Sequence, residues 1–332
     1  MSAVRQTIAM LVPAYNAAHC LPRLLESAAR QTRRFDEVLV YDDCSTDNTS
    51  DVAAKYNAVV VRGEKNRGCS HGKNLLAAIT KSDWIHFHDA DDELYPNFVL
   101  LATKWAINGS KDVVLFPYEE RDDITGRLLA NHRFDHDALS HDARSYAIRN
   151  QINPFCGLYR RESFLKVGGY DEDPLVLYNE DVAMHIKLAF SGLSFGADSE
   201  ISIINHRREN SMSGANPLRC LQAQAKVMEK AALYDAGRNY DAEIAERLWG
   251  IIGGLSSQLD WKSADAAVDL ALRVAGERGL PKSFLFGLLC RVASPHFAIR
   301  VREWSVRIFK SRYRDGYPGW RFLPEASAWR SG

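Results

Sequence analysis

The sequence predicts an α/β fold with a doubly wound, mostly parallel sheet flanked by helices, followed by a C-terminal helical extension. Over about the first 120 residues, short and nearly continuous apolar runs alternate with segments of helical periodicity. This alternation is typical of a parallel sheet whose strands are buried on both faces. The pattern becomes irregular from about Gly126, and from Pro217 onward it is almost entirely helical. We therefore expect one domain at residues 1–215 and a second, helical one at residues 216–332.

The predicted elements of the first domain follow one another in a regular order. The strands are expected at Ile8–Val12, Glu37–Tyr41, Ala58–Val61, Asp83–His88 and Asp112–Tyr118. Between them, helical spacing appears from Leu21 to Ala28, towards Tyr56, over Cys69–Lys81 and over Phe98–Ile107. A further helix is expected at Asn179–Gly192, where apolar residues again recur at helical spacing. Strands that are separated by helices in this way form a parallel sheet.

Composition indicates an ordinary globular protein with an uneven distribution of charge. The chain has 332 residues, of which 46% are hydrophobic and 25% are charged, and its formal net charge is zero. From Pro281 to Gly332, however, ten Lys and Arg residues stand against three Asp and Glu residues, a net charge of +7, and the rest of the chain carries −7. A basic segment of this kind can contact anionic lipid or another polyanion. We expect no nucleic-acid partner.

The cysteines and the N-terminal residues bear on the cellular compartment. The six cysteines are scattered and include no C-x-x-C pair, which argues against a zinc site and against a disulfide framework. The first residues lead directly into the first predicted strand, without the apolar region of a signal peptide. No apolar run approaches the length of a membrane span. We expect a cytoplasmic protein, with peripheral contact at the inner face of the cytoplasmic membrane left open.

The stretch from Ile85 to Asp92 is the strongest indication of a functional site. An apolar alternation that predicts a strand ends in three carboxylates, Asp89, Asp91 and Asp92. Because like charges this close repel one another, a cation or solvent must offset the repulsion. At the carboxyl end of a strand in an α/β sheet, a divalent ion that holds a phosphate fits this requirement. A solvated acidic turn is the alternative.

Three other segments carry polar or glycine residues at strand or helix ends. The first strand runs into Val12–Asn16 and the second into Asp42–Asp47, while Asn66–Asn74 leads into a helix. Ser45 or Thr46 would suit a helix N-cap, which does not prevent Asp43 from contacting a ligand. In the third segment, Gly68 and Gly72 permit close backbone approach ahead of a helix N-terminus, as a diphosphate requires.

The order of these segments, Pro13-Ala14-Tyr15-Asn16, Asp42–Asp47, Asn66–Asn74 and Asp89-Ala90-Asp91-Asp92, resembles the family 2 glycosyltransferases. These are inverting enzymes of GT-A fold that use nucleotide-diphospho-sugars. The resemblance extends from about residue 7 to residue 215, and its most specific motifs lie in the first half. It implies a GT-A type of doubly wound sheet in the first domain.

The resemblance assigns donor-binding roles to residues of the first half. By resemblance, Asp43 reads the base, since a carboxylate can accept the ring N–H of uracil. The other donor-binding positions that it implies are Pro13, Ala14, Tyr15, Gly68, Lys73, Asp89 and Ala90. At Lys73 the family more often carries Arg, so the charge is kept but the bidentate geometry is lost.

Asp89 and Asp91 match the metal-binding motif of the family. The implied ion is Mn²⁺ or Mg²⁺, with Asp91 as the direct ligand, Asp89 close by and Asp92 in support. Downstream, Asn205–Arg208 and Ser211–Ser213 resemble a basic strip that closes over the diphosphate. His206 and Arg207 are therefore further donor-binding candidates, and His206 is also a candidate metal ligand.

The resemblance also suggests a general base and an acceptor site. Glu180 and Asp181 match a Glu-Asp pair in which the Asp deprotonates the acceptor hydroxyl, and neighbouring carboxylates raise each other's pKa. An acid-rich helix start, favoured by the helix dipole, is the alternative. The segments Gly157–Arg161 and Gly168–Asp171 resemble the border of the acceptor site.

The sequence thus predicts an inverting, metal-assisted glycosyltransferase. Its donor would be a UDP-sugar and its acceptor a hydroxyl of a glycan or lipid-linked molecule. A catalytically inactive nucleotide-sugar-binding scaffold is the main alternative. A sugar nucleotidyltransferase is disfavoured because Pro13–Asn16 replaces the Gly-rich loop expected after the first strand, and a dehydrogenase because no G-x-G-x-x-G follows a strand.

The C-terminal segment has a pattern of its own. Phe297, Val301, Trp304 and Ile308 recur at helical spacing among several arginines. Such a basic amphipathic helix can lie in an anionic membrane surface. It can equally pack its apolar side on the catalytic domain or on a second subunit of a homo-oligomer.

Overall fold

A computed structural model of the protein describes residues 5–208 and 212–309. Ser211 and the basic residues from Lys310 onward, which the sequence singled out, lie outside the described residues. The chain divides into two compact units. Unit 1 comprises Met1–Tyr146, Ile152–Glu172 and Lys187–Glu209. Unit 2 comprises Ala147–Gln151, Asp173–Ile186 and Asn210–Gly332, so two short internal segments group with the C-terminal helices. The domain boundary at residue 215 stays a prediction.

Unit 1 is built around a seven-stranded sheet with the order β10-β6-β9-β4-β1-β2-β3. Its strands are β1 (Ile8–Ala14), β2 (Glu37–Asp42), β3 (Val59–Arg62), β4 (Trp84–Phe87), β6 (Val113–Leu115), β9 (Gly157–Arg160) and β10 (Phe195–Ala197). Strands β4, β1, β2 and β3 are parallel neighbours, and β1 is almost wholly buried, as its continuous apolar run predicts. The predicted α/β class with a mostly parallel sheet is confirmed.

The sheet departs from the predicted pattern at β9. This strand runs antiparallel between β4 and β6, and its register pairs Tyr159 with both Ile85 and Val113. The sequence pattern around β9 gave no clear strand prediction. The insertion places Gly157 beside the carboxyl half of β4, which carries the predicted acidic site.

A second sheet of four strands has the order β5-β11-β7-β8 and was not predicted. Its strands are β5 (Glu93–Leu94), β7 (Tyr118–Asp122), β8 (Leu128–His132) and β11 (Ile203–Arg207). The single strand predicted at Asp112–Tyr118 is in fact two, because the chain leaves the first sheet after Leu115 and enters the second at Tyr118. Antiparallel pairing with β11 joins β5, directly after the acidic turn, to the basic strip.

The part of the chain that contains the strands also contains eight α-helices among its described residues. They are α1 (Leu21–Ala29), α2 (Thr49–Lys55), α3 (Cys69–Ile79), α4 (Phe98–Asn108), α5 (His136–His141), α6 (Ala143–Arg149), α7 (Arg161–Val167) and α8 (Glu180–Phe190). Helix α1 buries Leu21, Leu24 and Leu25, the residues whose spacing predicted it. These leucines join a core with β1 and α4, so the central strands are fixed from at least one face.

From residue 212 onward the described chain is helical, as predicted. Its helices are α9 (Met212–Ala215), α10 (Pro217–Tyr234), α11 (Asp241–Ser257), α12 (Trp261–Ala275), α13 (Phe284–Val292) and α14 (Pro295–Phe309). Leu248, Ile252 and Leu255 of α11 are buried, and this helix packs against α10, α12 and α14. No helix in the described ranges is long and apolar enough to span a bilayer.

Candidate active site

The predicted motifs meet at one edge of the first sheet. Strand β1 lies between β4 and β2 and runs parallel to both, so the carboxyl ends of the three strands are neighbours. Backbone hydrogen bonds continue the ladder there, from Asp43 N to Ala14 O at 2.9 Å and from His88 N to Leu11 O at 3.0 Å. This edge is where ligands bind in open α/β sheets.

The turn after β1 is locked to the turn after β2. Asn16 has a φ of 50° and Cys44 a φ of 64°, both in the left-handed region, which asparagine tolerates well. Asn16 N donates to Ser45 Oγ at 2.9 Å, and Asn16 Oδ1 accepts from Thr46 N at 2.8 Å. With the backbone fixed in this way, Ala14 is buried and the side chain of Tyr15 is 52% exposed beside the strand ends.

Asp42 is a buried structural carboxylate that sequence reasoning did not single out. Its Oδ1 accepts from Ser45 N at 2.8 Å, and its Oδ2 accepts from the hydroxyl of Ser50. Burial acts to raise the pKa of Asp42, but the hydrogen bonds from Ser45 and Ser50 outweigh it and hold the pKa below its usual value. Ser45 therefore supports the turn instead of capping a helix.

The cap of α2 also differs from the prediction. The helix begins at Thr49, and the carboxylate of Asp47 accepts from Thr49 N at 3.0 Å. Neither Ser45 nor Thr46 makes a side-chain capping bond to this helix. The connection between β2 and α2 is longer than its polar residues suggested. The acceptor for the backbone N–H of Thr49, in the first turn of the helix, is therefore Asp47.

Asp43 connects the end of β2 to the glycine loop, the part of Asn66–Asn74 that precedes α3. Its Oδ1 accepts from Arg67 N at 2.8 Å and its Oδ2 from Gly68 N at 2.8 Å, while the residue is 4% exposed. Gly68 has a φ of +87°, a conformation that favours glycine. A carboxylate oxygen carries two lone pairs, and the side chain of Tyr41 also hydrogen-bonds Asp43, so one further acceptor position is left.

A cavity of about 230 Å³ lies next to the contact between Asp43 and the backbone of Arg67 and Gly68. Its lining combines an aromatic ring with several cations: Tyr41, Arg62, Gly63, Glu64, Lys65, Arg67, His71 and Leu75. The cavity opens at the carboxyl ends of β2 and β3, on the same edge as Asp43. Its positive charge suits an anionic ligand.

Gly72 and Lys73 lie in different surroundings from those that the sequence suggested. A Cβ on Gly72 would come 2.5 Å from Cδ1 of Tyr41, so this glycine allows the ring of Tyr41 to pack on α3. Lys73 is buried, and its Nζ lies 4.8 Å from the ring centroid of Tyr170. Its ammonium therefore has a cation–π partner, and its contact with a diphosphate stays a prediction.

Helix α3 also positions the turn after α7. Asn74 Oδ1 accepts from Tyr170 N at 2.8 Å, and Asn74 Nδ2 donates to Tyr170 O at 3.0 Å. A Cβ on Gly169 would come 2.3 Å from Asn74 Oδ1, so a glycine is required for this approach. The segment that resembles the acceptor border is thus fixed to the helix that follows the glycine loop.

The acidic turn is held from within by Asp92. This residue is 1% exposed, and its two oxygens accept from Asn205 Nδ2 at 3.0 Å each. Oδ1 also accepts from His206 N at 2.9 Å. Burial and the nearby charges of Asp89 and Asp91 raise the pKa of Asp92 well above its usual value. Asp92 thereby connects the turn to β11.

Asp91 is more open to solvent than Asp92. Its side chain is 41% exposed, with Oδ2 at 3.8 Å from Arg208 Nη1. The main-chain oxygen of Asp91 accepts from the guanidinium of Arg23. Asp89 and Ala90 are half-buried beside it. Asp91 thus presents a carboxylate that is partly open to solvent, in contrast to the buried Asp92.

Two arginines converge on Asp123 next to this turn. Arg23 Nη1 lies 2.7 Å from Asp123 Oδ1, and Arg208 Nε lies 2.9 Å from Asp123 Oδ2. Burial acts to raise the pKa of Asp123, but the two guanidinium groups hold it below its usual value. Arg208 was visible in the basic strip, whereas no local pattern pointed to Arg23 or Asp123.

Successive side chains of the basic strip on β11 point to opposite faces of the strand. His206 Nε2 lies 3.3 Å from Glu93 Oε2, and its Nδ1 lies 3.8 Å from Asp123 Oδ1. Arg207 points to the other face of the strand, where its Nη1 donates to Glu120 Oε1 at 2.7 Å. Arg208, which follows the strand, is therefore the arginine of the strip that lies near Asp91.

The structure does not assemble Asp89, Asp91 and His206 into one metal-binding set. Over residues 5–208 and 212–309, no group of three or more His, Cys, Asp or Glu side chains is arranged to hold a metal ion. His206 is directed to Glu93 and Asp123, which explains why it does not complete the set. Magnesium-type sites often use only one or two carboxylates plus substrate phosphates, and Asp91 with Asp89 fits that arrangement.

The proposed base belongs to the other compact unit. Glu180 and Asp181 open α8 within the segment Asp173–Ile186, where Glu180 is buried and Asp181 is half-buried. The main-chain oxygen of Asp181 accepts from His185 Nδ1 at 2.7 Å, which orders the first turn of the helix. The assignment of Asp181 as base stays a prediction.

A pair of histidines lies beneath the acidic turn and was not predicted. His86 and His88 on and after β4 are fully buried, with His86 Nε2 at 2.9 Å from His88 Nδ1. His86 Nδ1 donates to Gly157 O at 2.8 Å, so neutral His86 accepts from His88. The pair links β4 to the antiparallel strand β9.

Comparisons with known proteins agree with this geometry. Residues 10–168 match the model of "Glycosyl transferase family 2". An "Uncharacterized glycosyltransferase" of Haemophilus influenzae is 28% identical over 182 residues, covering 49% of this chain and 55% of the relative. The chain thus spans about half the length of that curated relative.

Solved structures share the fold over most of the chain. S. aureus TarS 1–349 in complex with UDP-GlcNAc has a TM-score of 0.72 at 21% identity, covering 92% of each chain. The mannosyltransferase PcManGT from Pyrobaculum calidifontis, in complex with GDP-Man and Mn²⁺, has a TM-score of 0.57 at 18% identity, covering 98% of this chain and 86% of its own. The predicted GT-A type of fold with a helical C-terminal region is confirmed.

Proposed function

Over residues 10–168 the chain belongs to glycosyltransferase family 2, and from this premise we propose that the protein moves a sugar from a nucleotide-diphospho-sugar to an acceptor hydroxyl, with inversion. One observation supports this most strongly. The loop anchored by Asp43 and the acidic turn with the accessible Asp91 lie at the ends of β2 and β4, on either side of β1. A donor that spans this edge can contact both.

A UDP-sugar is the donor that the site fits best. The oxygens of Asp43 each accept one backbone N–H and Tyr41 adds a side-chain hydrogen bond, so one lone pair of the carboxylate would accept the ring N–H of uracil. The exposed ring of Tyr15 is available to stack on the base, and Pro13 and Ala14 shape the floor beside it. The UDP-GlcNAc complex of TarS, which shares the fold, supports a nucleotide-sugar donor.

The diphosphate would lie at the acidic turn. Asp91, with Asp89 close by, would hold Mn²⁺ or Mg²⁺ together with the two phosphates; the Mn²⁺ complex of PcManGT supports this choice of ion. When bound, such an ion stabilises the negative charge that develops on the departing diphosphate. Of the two arginines in the basic strip, Arg208 would support that role, because Arg207 pairs with Glu120. Gly68 would allow the backbone at the start of α3 to approach the diphosphate, and Lys73 would add a cation there.

Asp181 would act as the general base, with Glu180 beside it. In the transfer step the acceptor O–H bond breaks and its proton passes to the carboxylate of Asp181. The acceptor oxygen forms a bond to the anomeric carbon as the bond from that carbon to the diphosphate oxygen breaks, and its electron pair leaves with the nucleoside diphosphate. Attack opposite the leaving group inverts the configuration.

The acceptor would be a hydroxyl of a glycan or of a lipid-linked molecule, as in surface polysaccharide assembly. A nucleotide-sugar-binding scaffold without activity is the competing function. Calorimetry with UDP, with and without Mn²⁺, followed by hydrolysis assays over a panel of nucleotide sugars, separates the two. We expect binding that strengthens with metal, and turnover of one donor; tight binding without turnover of any donor or acceptor would favour the scaffold.

A further inference from the structure

The C-terminal helices of unit 2 expose an apolar stripe on α13. Phe284, Leu285, Leu288 and Val292 are 81%, 77%, 45% and 77% exposed. At 100° per residue these four positions fall within about one quarter to one third of the helix circumference. The opposite side of α13 is buried through Gly287 and Cys290. The helix therefore packs by one face and leaves a continuous apolar face in solvent.

Helix α14 shows the same division. Phe297, Trp304 and Ile308 are 55%, 62% and 50% exposed and recur on one side of the helix. The other side buries Ala298 and Ile299. Two contacts attach the helix to its neighbours in unit 2: Arg300 donates two hydrogen bonds to Asp265, and Arg307 donates to Ser257 O at 2.9 Å. Solitary exposed apolar residues are normal, but an exposed apolar stripe on each of two consecutive helices marks an interaction surface.

We propose that the α13 and α14 stripes dock this protein on an anionic lipid surface. The charge of the region selects lipid over a second copy of the chain. From Pro281 onward the chain carries a net charge of +7. Arg291 is exposed next to the α13 stripe, as is Lys282, whose Nζ lies 2.9 Å from Glu246 Oε2. A symmetric dimer through this surface would bring two such regions together, whereas an anionic bilayer neutralises them.

The side-chain types support the same partner. The stripes contain leucine, phenylalanine and a tryptophan, which insert to the level of the acyl chains and head groups of a bilayer. Basic side chains on the flanks then lie at the level of the phosphates. This inference goes beyond sugar transfer and does not rest on the donor site, since every residue that carries it belongs to unit 2.

The test is co-sedimentation of the full chain with vesicles of phosphatidylcholine, alone or mixed equally with phosphatidylglycerol. We expect binding to the mixed vesicles only, and a marked loss of it at high salt. The double variant Leu285→Asp/Leu288→Asp should bind at least about tenfold more weakly. Leu233→Asp is the matched control, because Leu233 is 76% exposed in unit 2 on α10, and it should bind like the parent.

Three results would overturn the inference. They are equal binding to neutral vesicles, no binding to either kind, and a concentration-dependent dimer in sedimentation velocity that the double variant abolishes. Circular dichroism and thermal unfolding establish that the variants fold. Hydrolysis of the nucleotide-sugar donor without lipid should be unchanged in the double variant, so failure of lipid binding and failure of the proposed transferase function are distinguishable.

Discussion

The side-chain amide of Asn205 donates to both carboxylate oxygens of Asp92, at 3.0 Å each. This contact joins the acidic turn after β4 to β11 and hence to the basic strip. Since Asp92 is buried, its carboxylate must be satisfied by protein donors, and the side chain of Asn205 donates to both of its oxygens. The contact thus fixes the backbone that presents Asp91 to a ligand.

Replacement of Asn205 by Ala should lower the free energy of unfolding by about 1–3 kcal/mol, because it leaves a buried acceptor unsatisfied. Urea denaturation measures this. Metal-dependent donor hydrolysis should also fall, because the turn that carries Asp91 loses its tie to β11. Asn131→Ala, at an exposed position of β8, is the control. Unchanged stability of Asn205→Ala would show that the contact contributes little.

Replacement of Asp43 by Asn should weaken UDP binding by about tenfold or more. The amide keeps one acceptor oxygen but cannot accept with its nitrogen, so the loop at Arg67 and Gly68 loses one of its two ties. The ring N–H of uracil loses a charged acceptor as well, and hydrogen bonds to charged groups are worth about 1.5–3 kcal/mol. Calorimetry measures the change, and Asp51→Asn on exposed α2 is the matched control.

Replacement of Asp181 by Asn should abolish transfer while UDP-sugar binding stays within about twofold, since the amide is isosteric but cannot take a proton. Single-turnover transfer and calorimetry provide the two readouts. Asp269→Asn, whose side chain is 65% exposed in unit 2, should behave like the parent. Transfer by Asp181→Asn at a near-normal rate would require another base.

The strands and their ends were predictable because local periodicity reports burial on each face. Ile8–Val12 is apolar throughout since β1 lies in the middle of the sheet, and Asp43 and Asp91 follow strands whose order placed them on one edge. The order of the motifs predicted glycosyltransferase family 2, and the match of residues 10–168 to the model of that family confirms the prediction.

Contacts between distant segments were not predictable from that periodicity. Asp92 and Asn205 meet across 113 positions, and their pairing depends on the second sheet, whose strands are short and irregular in pattern. The different partners of Arg207 and Arg208 were not predictable for a similar reason. Only the register of β11 decides which of two adjacent arginines reaches the acidic turn and which pairs with Glu120. Gly72 was assigned to ligand approach, yet its neighbour is Tyr41.

The buried histidine His86 should make the protein less stable in acid. Its complete burial lowers its pKa to about 4, against which the hydrogen bond to Gly157 O acts only partly. In the unfolded chain a histidine titrates near pH 6.5. Between pH 6.5 and 4 the unfolded state therefore takes up a proton that the folded state does not, so the free energy of unfolding falls as the pH falls.

The size of this effect follows from the pKa difference. A shift from 6.5 to about 4 corresponds to roughly 3 kcal/mol, fully present above pH 6.5 and lost by about pH 4. Burial also lowers the pKa of His88, which adds to the loss, whereas the raised pKa of Asp92 acts in the opposite direction. Urea denaturation between pH 7 and 4 measures the slope, and His86→Gln should reduce it because glutamine does not titrate. Parallel slopes for parent and variant would mean that another group sets the acid sensitivity.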